Sequence, residues 1–328
     1  MSQIDKIRSR ASQTKRKVLL PEAEKDIRVI KAAIMLKAGG YADPVLLGNR
    51  SSIQKLAETE GVELPDSLQV NTYSDPVQDE RKFLYFKEKL KHKNPEEEQL
   101  RELSRHPLYT AGWLLDTGEA DASVAGSVAS TGDVIRSALR TVGVAESSEL
   151  VSSSFLMEMP DGRVFTYADC GVVPYPDAPQ LASIALDAAK THQLLTGVEP
   201  VIAFLSFSTK GSARHERVDL VTEALRLAKS KKTGWRMDGE LQFDAAAVRT
   251  VAERKAPDSD VKGDANVFIF PNLDAGNIAY KITERLAGAS ATGPLLQGLQ
   301  KPIMDLSRGC SVDDIVNTAC VASLLAAT

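Results

Sequence analysis

Close to the end of the chain, DLSRGCSVDDI (Asp305 to Ile315) brings a serine, an arginine and a carboxylate into one short stretch. The Ser307 hydroxyl donates or accepts a hydrogen bond, the planar Arg308 guanidinium matches phosphate oxygens, and the Asp314 carboxylate can take a proton. Ser311 and Asp314 have the Ser-x-x-Asp spacing of a capping box, so a helix is expected to start here and to add its free N–H groups. Such a corner suits a phosphoryl group with a proton acceptor beside it. A purely structural role fits the same residues, in which Ser311 and Asp314 only cap a helix and Arg308 pairs with Asp305 or Asp313. From this stretch alone both readings stand open.

A second candidate lies in ADASVAGSVASTGDVIRSALRTVG (Ala120 to Gly143). A strand of small residues runs into a loop of Gly126, Ser127, Ser130, Thr131 and Gly132, and a helix follows with Arg136 in its early turns. Backbone N–H groups in a glycine and hydroxyl loop before a helix suit an anion. Here too a plain reading competes, with Ser130 and Asp133 as a capping box and Arg136 as a surface arginine. A third loop, STKGSARHER, carries lysine and arginines that fit an anionic ligand, a partner subunit or bare surface. The acidic residues Asp238, Glu240, Asp244 and Asp274 sit in what read as solvated turns, and the four histidines are scattered, so no metal site is expected.

The elements that must position these residues alternate strand and helix from KVLLPE onward, which predicts an α/β fold with a parallel, doubly wound sheet. A long charged helical region is expected from Asp79 to about Gly118. The strands ELVSSSFLMEMP and RVFTYADCG, joined through Asp161-Gly162, break the rhythm with a hairpin and mark a second domain. The expected organisation is a discontinuous first domain of residues 1–147 plus 300–328 and a second of 148–299, with the terminal motif at the cleft between them.

Composition narrows the partners. A chain of 328 residues usually divides into two domains, and 43% hydrophobic residues are ample for two cores. A formal net charge of -4 without basic blocks leaves no footprint for nucleic acid or a membrane surface. Cys170, Cys310 and Cys320 show no paired spacing, the N-terminus lacks a signal-peptide core, and no apolar run nears the ~20 residues of a membrane span. The expectation is a cytoplasmic protein acting on small molecules.

LPEAE, STGDVIRSAL, FTYADCGVV, SFSTKGSA, DGELQFDAA, KAPDSDVKGDANVFIFPNLDAGNIAYKI and GPLLQGLQKPIMDLSRGCSVDDI together resemble the phosphate acetyltransferase (phosphotransacetylase) family, from about Lys17 to Ala322. The resemblance implies a two-domain α/β architecture of the isocitrate and isopropylmalate dehydrogenase type, usually a homodimer, with the active site in the cleft. It implies reversible acetyl transfer between acetyl phosphate and coenzyme A by direct thiolate attack in a ternary complex, with coenzyme A as a substrate and no metal or nicotinamide cofactor. Under it, Asp314 is the general base toward the thiol, Ser307 contacts the acetyl carbonyl, Arg308 binds phosphate and developing charge, and Arg136 is a second active-site arginine. Ser130, Thr131 and Gly132 are the substrate-binding candidates of the other loop. One position departs: many members carry an arginine where this chain has Leu90, with Lys89 and Lys91 beside it.

A thiol with a pKa near that of cysteine is only a few per cent thiolate at neutral pH, so a base nearby is useful. A helix N-terminus favours the carboxylate form of an aspartate, whereas desolvation would make it a stronger base, so Asp314 is expected to need burial. Three alternatives share the pattern: a phosphate butyryltransferase, a non-catalytic acyl-CoA sensing domain, and a dehydrogenase of the same architecture. The last lacks a convincing Gly-x-Gly-x-x-Gly fingerprint.

Overall fold

The structure is a computed structural model that describes residues 1–327, and the chain divides into two compact units, one of Gln3–Val144 with the chain from Leu299 onward, the other Ala145–Gly298. The first unit opens with β1 (Lys17–Leu20), β2 (Asp43–Leu47), β3 (Gln69–Asn71) and β4 (Ala122–Ala125). The second contains β5 (Ser152–Glu158), β6 (Val164–Ala168), β7 (Val201–Leu205), β8 (Arg236–Leu241), β9 (Val267–Ile269) and β10 (Ser290–Gln297). The chain then returns to the first unit for β11 (Ile303–Asp305).

In the first unit the sheet order is β11-β4-β1-β2-β3, parallel throughout. Val18, Leu19 and Leu20 of β1 and every residue of β4 are buried, as expected of central strands covered on both faces. From β1 the chain winds outward to β2 and β3, whereas β4 leads the other way to β11. The order therefore reverses between β1 and β4, and the crevice outside the carboxyl ends of strands at such a switch point is where open α/β sheets bind ligands. The Val312–Leu325 helix is buried along most of its length and packs on the Gln3–Thr14 and Ile27–Ala38 helices and on β1, β4 and β11. Being apolar nearly all round, it needs cover on every side.

The second unit has a mixed sheet, β10-β5-β6-β9-β7-β8, in which β5 is antiparallel to both neighbours and the other pairings are parallel. Asp161-Gly162 makes the expected hairpin: Gly162 takes φ +85°, and the Met159 N–H donates to the Arg163 carbonyl at 2.8 Å.

The region from Asp79 to about Gly118 is helical as expected, divided into three helices, Pro76–Lys89, Glu97–Ser104 and Pro107–Asp116, with a 3-10 turn at Lys91–Lys93. Asn94 adopts φ +44° before Pro95, and Pro107 starts the third helix, because proline removes a donor and disfavours a helical residue before it. Asp238–Leu241, read as a polar turn, belongs to β8, with both acids buried. Lys210 Nζ lies 2.7 Å from Asp238, and Glu240 accepts from Ser208 Oγ at 2.8 Å and the Gly211 N–H at 2.7 Å, so the carboxylates are satisfied inside the strand. No helix among the described residues is long and apolar enough to cross a membrane.

Candidate active site

The two candidate loops of the first unit leave neighbouring strands side by side. β4 and β11 are paired with Asp305 opposite Ala125, and the Leu306 N–H donates to the Ala125 carbonyl at 2.8 Å. Gly126 then turns with φ +103°, and a Cβ there would sit 2.4 Å from Asp305 Oδ1 and 2.6 Å from the Leu306 nitrogen. Only glycine lets the loops approach this closely.

In the loop after β11, Ser307 Oγ accepts from the Gly309 N–H at 3.2 Å, and the Cys310 N–H donates to the Ser307 carbonyl at 2.9 Å. The expected capping box closes on itself: Asp314 Oδ2 accepts from the Ser311 N–H and hydroxyl, each at 2.8 Å, and the Asp314 N–H donates to Ser311 Oγ at 3.1 Å. Asp314 is exposed and holds this structural role whatever else it does. Arg308 is different. Its side chain is exposed and has no ion-pair or hydrogen-bond partner among the described residues, and its two expected partners are taken, Asp313 by Arg8 at 2.8 Å and Asp305 by Thr131 at 2.6 Å. The structural reading therefore holds for the capping pair and fails for Arg308.

The loop after β4 corrects another expectation. The N–H groups of Gly126, Ser127, Val128 and Ala129 are not open to an external anion, because the buried Glu22 carboxylate accepts all four, at 2.7–3.2 Å, and the Ser127 hydroxyl at 2.9 Å. An internal carboxylate fills the concavity. What remains free lies one step on, where Thr131 and Gly132 open the helix and their N–H groups, like those of any first turn, lack an intrahelical acceptor. A Cβ on Gly132 would meet nothing nearer than Ser130 Oγ at 3.7 Å, so packing does not explain its lack of a side chain. Ser130 caps the helix, with its Oγ 2.7 Å from Asp133 Oδ2 and 3.2 Å from the Asp133 nitrogen, and the Thr131 hydroxyl is bound to Asp305. Arg136 forms an exposed ion pair with Asp133 at 2.6 Å. Ser130 and Arg136 together hold the Asp133 carboxyl below its ordinary value.

All seven candidates thus lie in one unit, and Arg28, which the sequence reading missed, ties their two loops together. Its Nε and Nη2 grip Asp26, Nη2 also donates to the Ser127 carbonyl at 3.1 Å, and Nη1 donates to the carbonyls of Arg308 at 3.0 Å and Cys310 at 2.6 Å. Burial alone would raise the Asp26 carboxyl, but hydrogen bonds from Arg28 and Ser127 outweigh it and hold Asp26 below the usual range. Asp305 goes the other way. Burial pushes it up to about 6 against the opposing Thr131 hydrogen bond, and the nearby Glu22 charge adds to the rise. No local motif announced Arg28, because its partners are backbone carbonyls about 100 and 280 positions away.

Beside the β4 loop lies a pocket of about 190 Å³, lined among others by Lys25, Tyr73, His106, Val128, Ala129 and Asp133. Burial, with the Lys25 charge, lowers the His106 imidazole. At the position of the departing family arginine, Leu90 is buried among Phe83, Phe86, Leu100 and Tyr109. Neither neighbouring lysine is a free cation, since Lys89 pairs with Asp116 at 2.6 Å and Lys91 with Glu88 at 2.5 Å. The four acids considered for a metal are dispersed on Lys210, Ser208, Lys255 and Tyr175, and no three His, Cys, Asp or Glu among the described residues are grouped to hold one.

Residues 2–323 match the family model described as phosphate acetyl/butaryl transferase. A phosphate acetyltransferase from Acetivibrio thermocellus is 46% identical over 99% of this chain and 98% of that protein. Among solved structures, the EutD phosphotransacetylase from Staphylococcus aureus superposes with a TM-score of 0.90 at 40% identity, covering 99% of this chain and 98% of that one. A phosphotransacetylase from Streptococcus pyogenes gives 0.94 at 37% identity with the same coverage.

Proposed function

The chain belongs to the phosphate acetyl/butaryl transferase family, and from that premise we propose how it works. It is an acyltransferase, a phosphate acetyltransferase that moves an acetyl group reversibly between acetyl phosphate and coenzyme A. In the forward direction the thiolate of coenzyme A attacks the acetyl carbonyl carbon, a C–S bond forms, the C–O bond to phosphorus breaks, and phosphate leaves with the electron pair. Asp314 takes the thiol proton. The Ser307 hydroxyl donates to the carbonyl oxygen as charge builds there, and Arg308 neutralises the departing phosphate, with Arg136 as the second cation and the free N–H groups of Thr131 and Gly132 facing the anion. Acetyl phosphate is already an activated donor, so this scheme needs no metal or nicotinamide cofactor.

The observation that carries the reading is the Arg308 guanidinium, unpartnered among the described residues, beside the switch point of a parallel sheet and next to a helix N-terminus. Asp314 is exposed without substrate, so its strength as a base depends on coenzyme A covering it. The decisive assay is acetyl-CoA formation by purified protein from acetyl phosphate and coenzyme A, without added metal, with Arg308→Lys as the paired control. Turnover that falls about 10²–10³-fold in the variant is expected, the size of losing one preorganised donor. Near-normal turnover in Arg308→Lys would remove the phosphate role.

The working unit under this reading is a homodimer in the cytoplasm. Ile278, Ile282 and Leu286 recur at helical spacing on Leu273–Ala287 and are 57%, 52% and 83% exposed, an apolar stripe that a second copy would cover. The three cysteines are free and buried, which suits a reducing compartment. Light scattering at twice the chain mass is the expected outcome.

A further inference from the structure

We propose that Arg28 is a positioning residue for acyl transfer, setting the backbone of the Ser307–Cys310 loop against the loop after β4 so that Arg308 meets the phosphoryl group and Ser307 the acetyl carbonyl of the substrate. The argument rests on the assignment of Arg308 to phosphate. It starts from donor arithmetic. A guanidinium has five N–H groups in a rigid fork. Here Nε faces Asp26, the two hydrogens of Nη2 serve Asp26 Oδ2 at 2.8 Å and the Ser127 carbonyl at 3.1 Å, and the two of Nη1 serve the Arg308 and Cys310 carbonyls at 3.0 and 2.6 Å. None is left for a ligand, so Arg28 acts through the loops it holds.

Its three anchor points are the loops that follow β1, β4 and β11, the three adjacent strands at the reversal of sheet order. The carbonyls of Arg308 and Cys310 flank Gly309, so gripping both fixes the peptide planes from which the Arg308 side chain departs and on which Ser311 begins its helix. Among the described residues no other group donates to the Arg308 carbonyl. Asp26, fixed as the cap of the Ile27–Ala38 helix by the Arg28 N–H at 2.9 Å, anchors the fork from behind. Lysine supplies a point charge with three donors and cannot span these partners.

The test is a double-mutant cycle with steady-state kinetics on the full-length protein. Arg28→Lys is expected to lower kcat/KM for acetyl phosphate about 10- to 100-fold, the scale of a misplacement of about 1 Å, with KM for coenzyme A changed less than about threefold. Arg308→Ala is expected to be impaired by itself, and adding Arg28→Lys to it should cost less than about threefold more, because the two act as one unit. A merely structural arginine would give additive losses and raise both Michaelis constants. Asp26→Asn keeps the helix cap but removes the counter-ion, so it covers the case in which Arg28→Lys does not fold, and a smaller loss in the same parameter is expected. Full activity in Arg28→Lys, unchanged kinetics in Asp26→Asn, or additive losses in the double variant would each overturn the proposal while leaving Arg308 in its role. An unimpaired Arg308→Ala would instead sink the phosphate assignment on which the proposal rests.

Discussion

The Thr131 hydroxyl donates to Asp305 Oδ2 across 2.6 Å, joining the first residue of a helix to the last residue of β11. That bond takes the hydroxyl of a substrate-binding candidate and leaves only its N–H for a ligand. The other oxygen, Asp305 Oδ1, is buried with no hydrogen-bond partner among the described residues.

Asp305 makes stability depend on pH in a definite direction. Its folded value of about 6 lies above the roughly 3.9 of an unfolded aspartate, so the folded state binds more protons between those values. The contribution to stability is fully present below about pH 4 and is lost as pH rises through 6. Asp305→Asn, which keeps an acceptor for Thr131, is therefore expected to be more stable than the parent at pH 8 by about 2–3 kcal/mol and to differ little at pH 4. Urea denaturation at both pH values reads this directly, and an equal shift at each would contradict it.

Glu22 is a test of the filled loop. Its two oxygens accept from four N–H groups and one hydroxyl, and a glutamine would turn an NH₂ toward donors on one side. Glu22→Gln is expected to destabilise by about 2–4 kcal/mol, since buried donors lose charged partners. A melting temperature within a degree of the parent would mean that the loop finds other acceptors.

How much of this was legible beforehand depended on range in sequence. The Ser311 and Asp314 box and the Asp161-Gly162 turn are local patterns, legible because their partners lie within three residues or at the end of one hairpin. The parallel sheet of the first unit followed from the alternation of apolar strands with helices. The filling of the β4 loop was not legible, because its anion comes from Glu22, over 100 positions earlier. Read locally, a glycine-rich loop with open N–H groups is indistinguishable from one already filled. β8 reads as a turn for a related reason, since Asp238-Gly239-Glu240 has turn composition until Lys210 and Ser208 arrive from β7's loop to satisfy its acids.

The Ser311 and Asp314 box allows the base role to be separated from the capping role. Ser311→Ala removes a cap, expected to cost about 1 kcal/mol of stability, but keeps the carboxylate. Asp314→Asn keeps an acceptor for the Ser311 N–H but cannot take a proton, so stability should change little while kcat falls about 10²–10⁴-fold. If both variants lost activity in proportion to their melting temperatures, Asp314 would be a cap and nothing more.

Leu90 gives the sharpest contrast between family pattern and local physics. The position that carries arginine in the resemblance is here 4% exposed and packed with Phe83, Phe86, Leu100 and Tyr109. Restoring the arginine would put a guanidinium among aromatic and aliphatic side chains, beside a pocket where Glu96 and Glu102 are offset by Lys93 and Arg140, so its desolvation would be only partly repaid. Leu90→Arg is therefore expected to lower the melting temperature markedly without raising kcat/KM for either substrate, and Leu90→Ala to cost about 2–4 kcal/mol by leaving a cavity. Denaturation curves and kinetics on the two variants decide it. A Leu90→Arg protein that stays folded and gains affinity for coenzyme A would show that the helix ending at Lys89 can re-pack to present the charge, and that the apolar cluster is not what fixes this end of the helix.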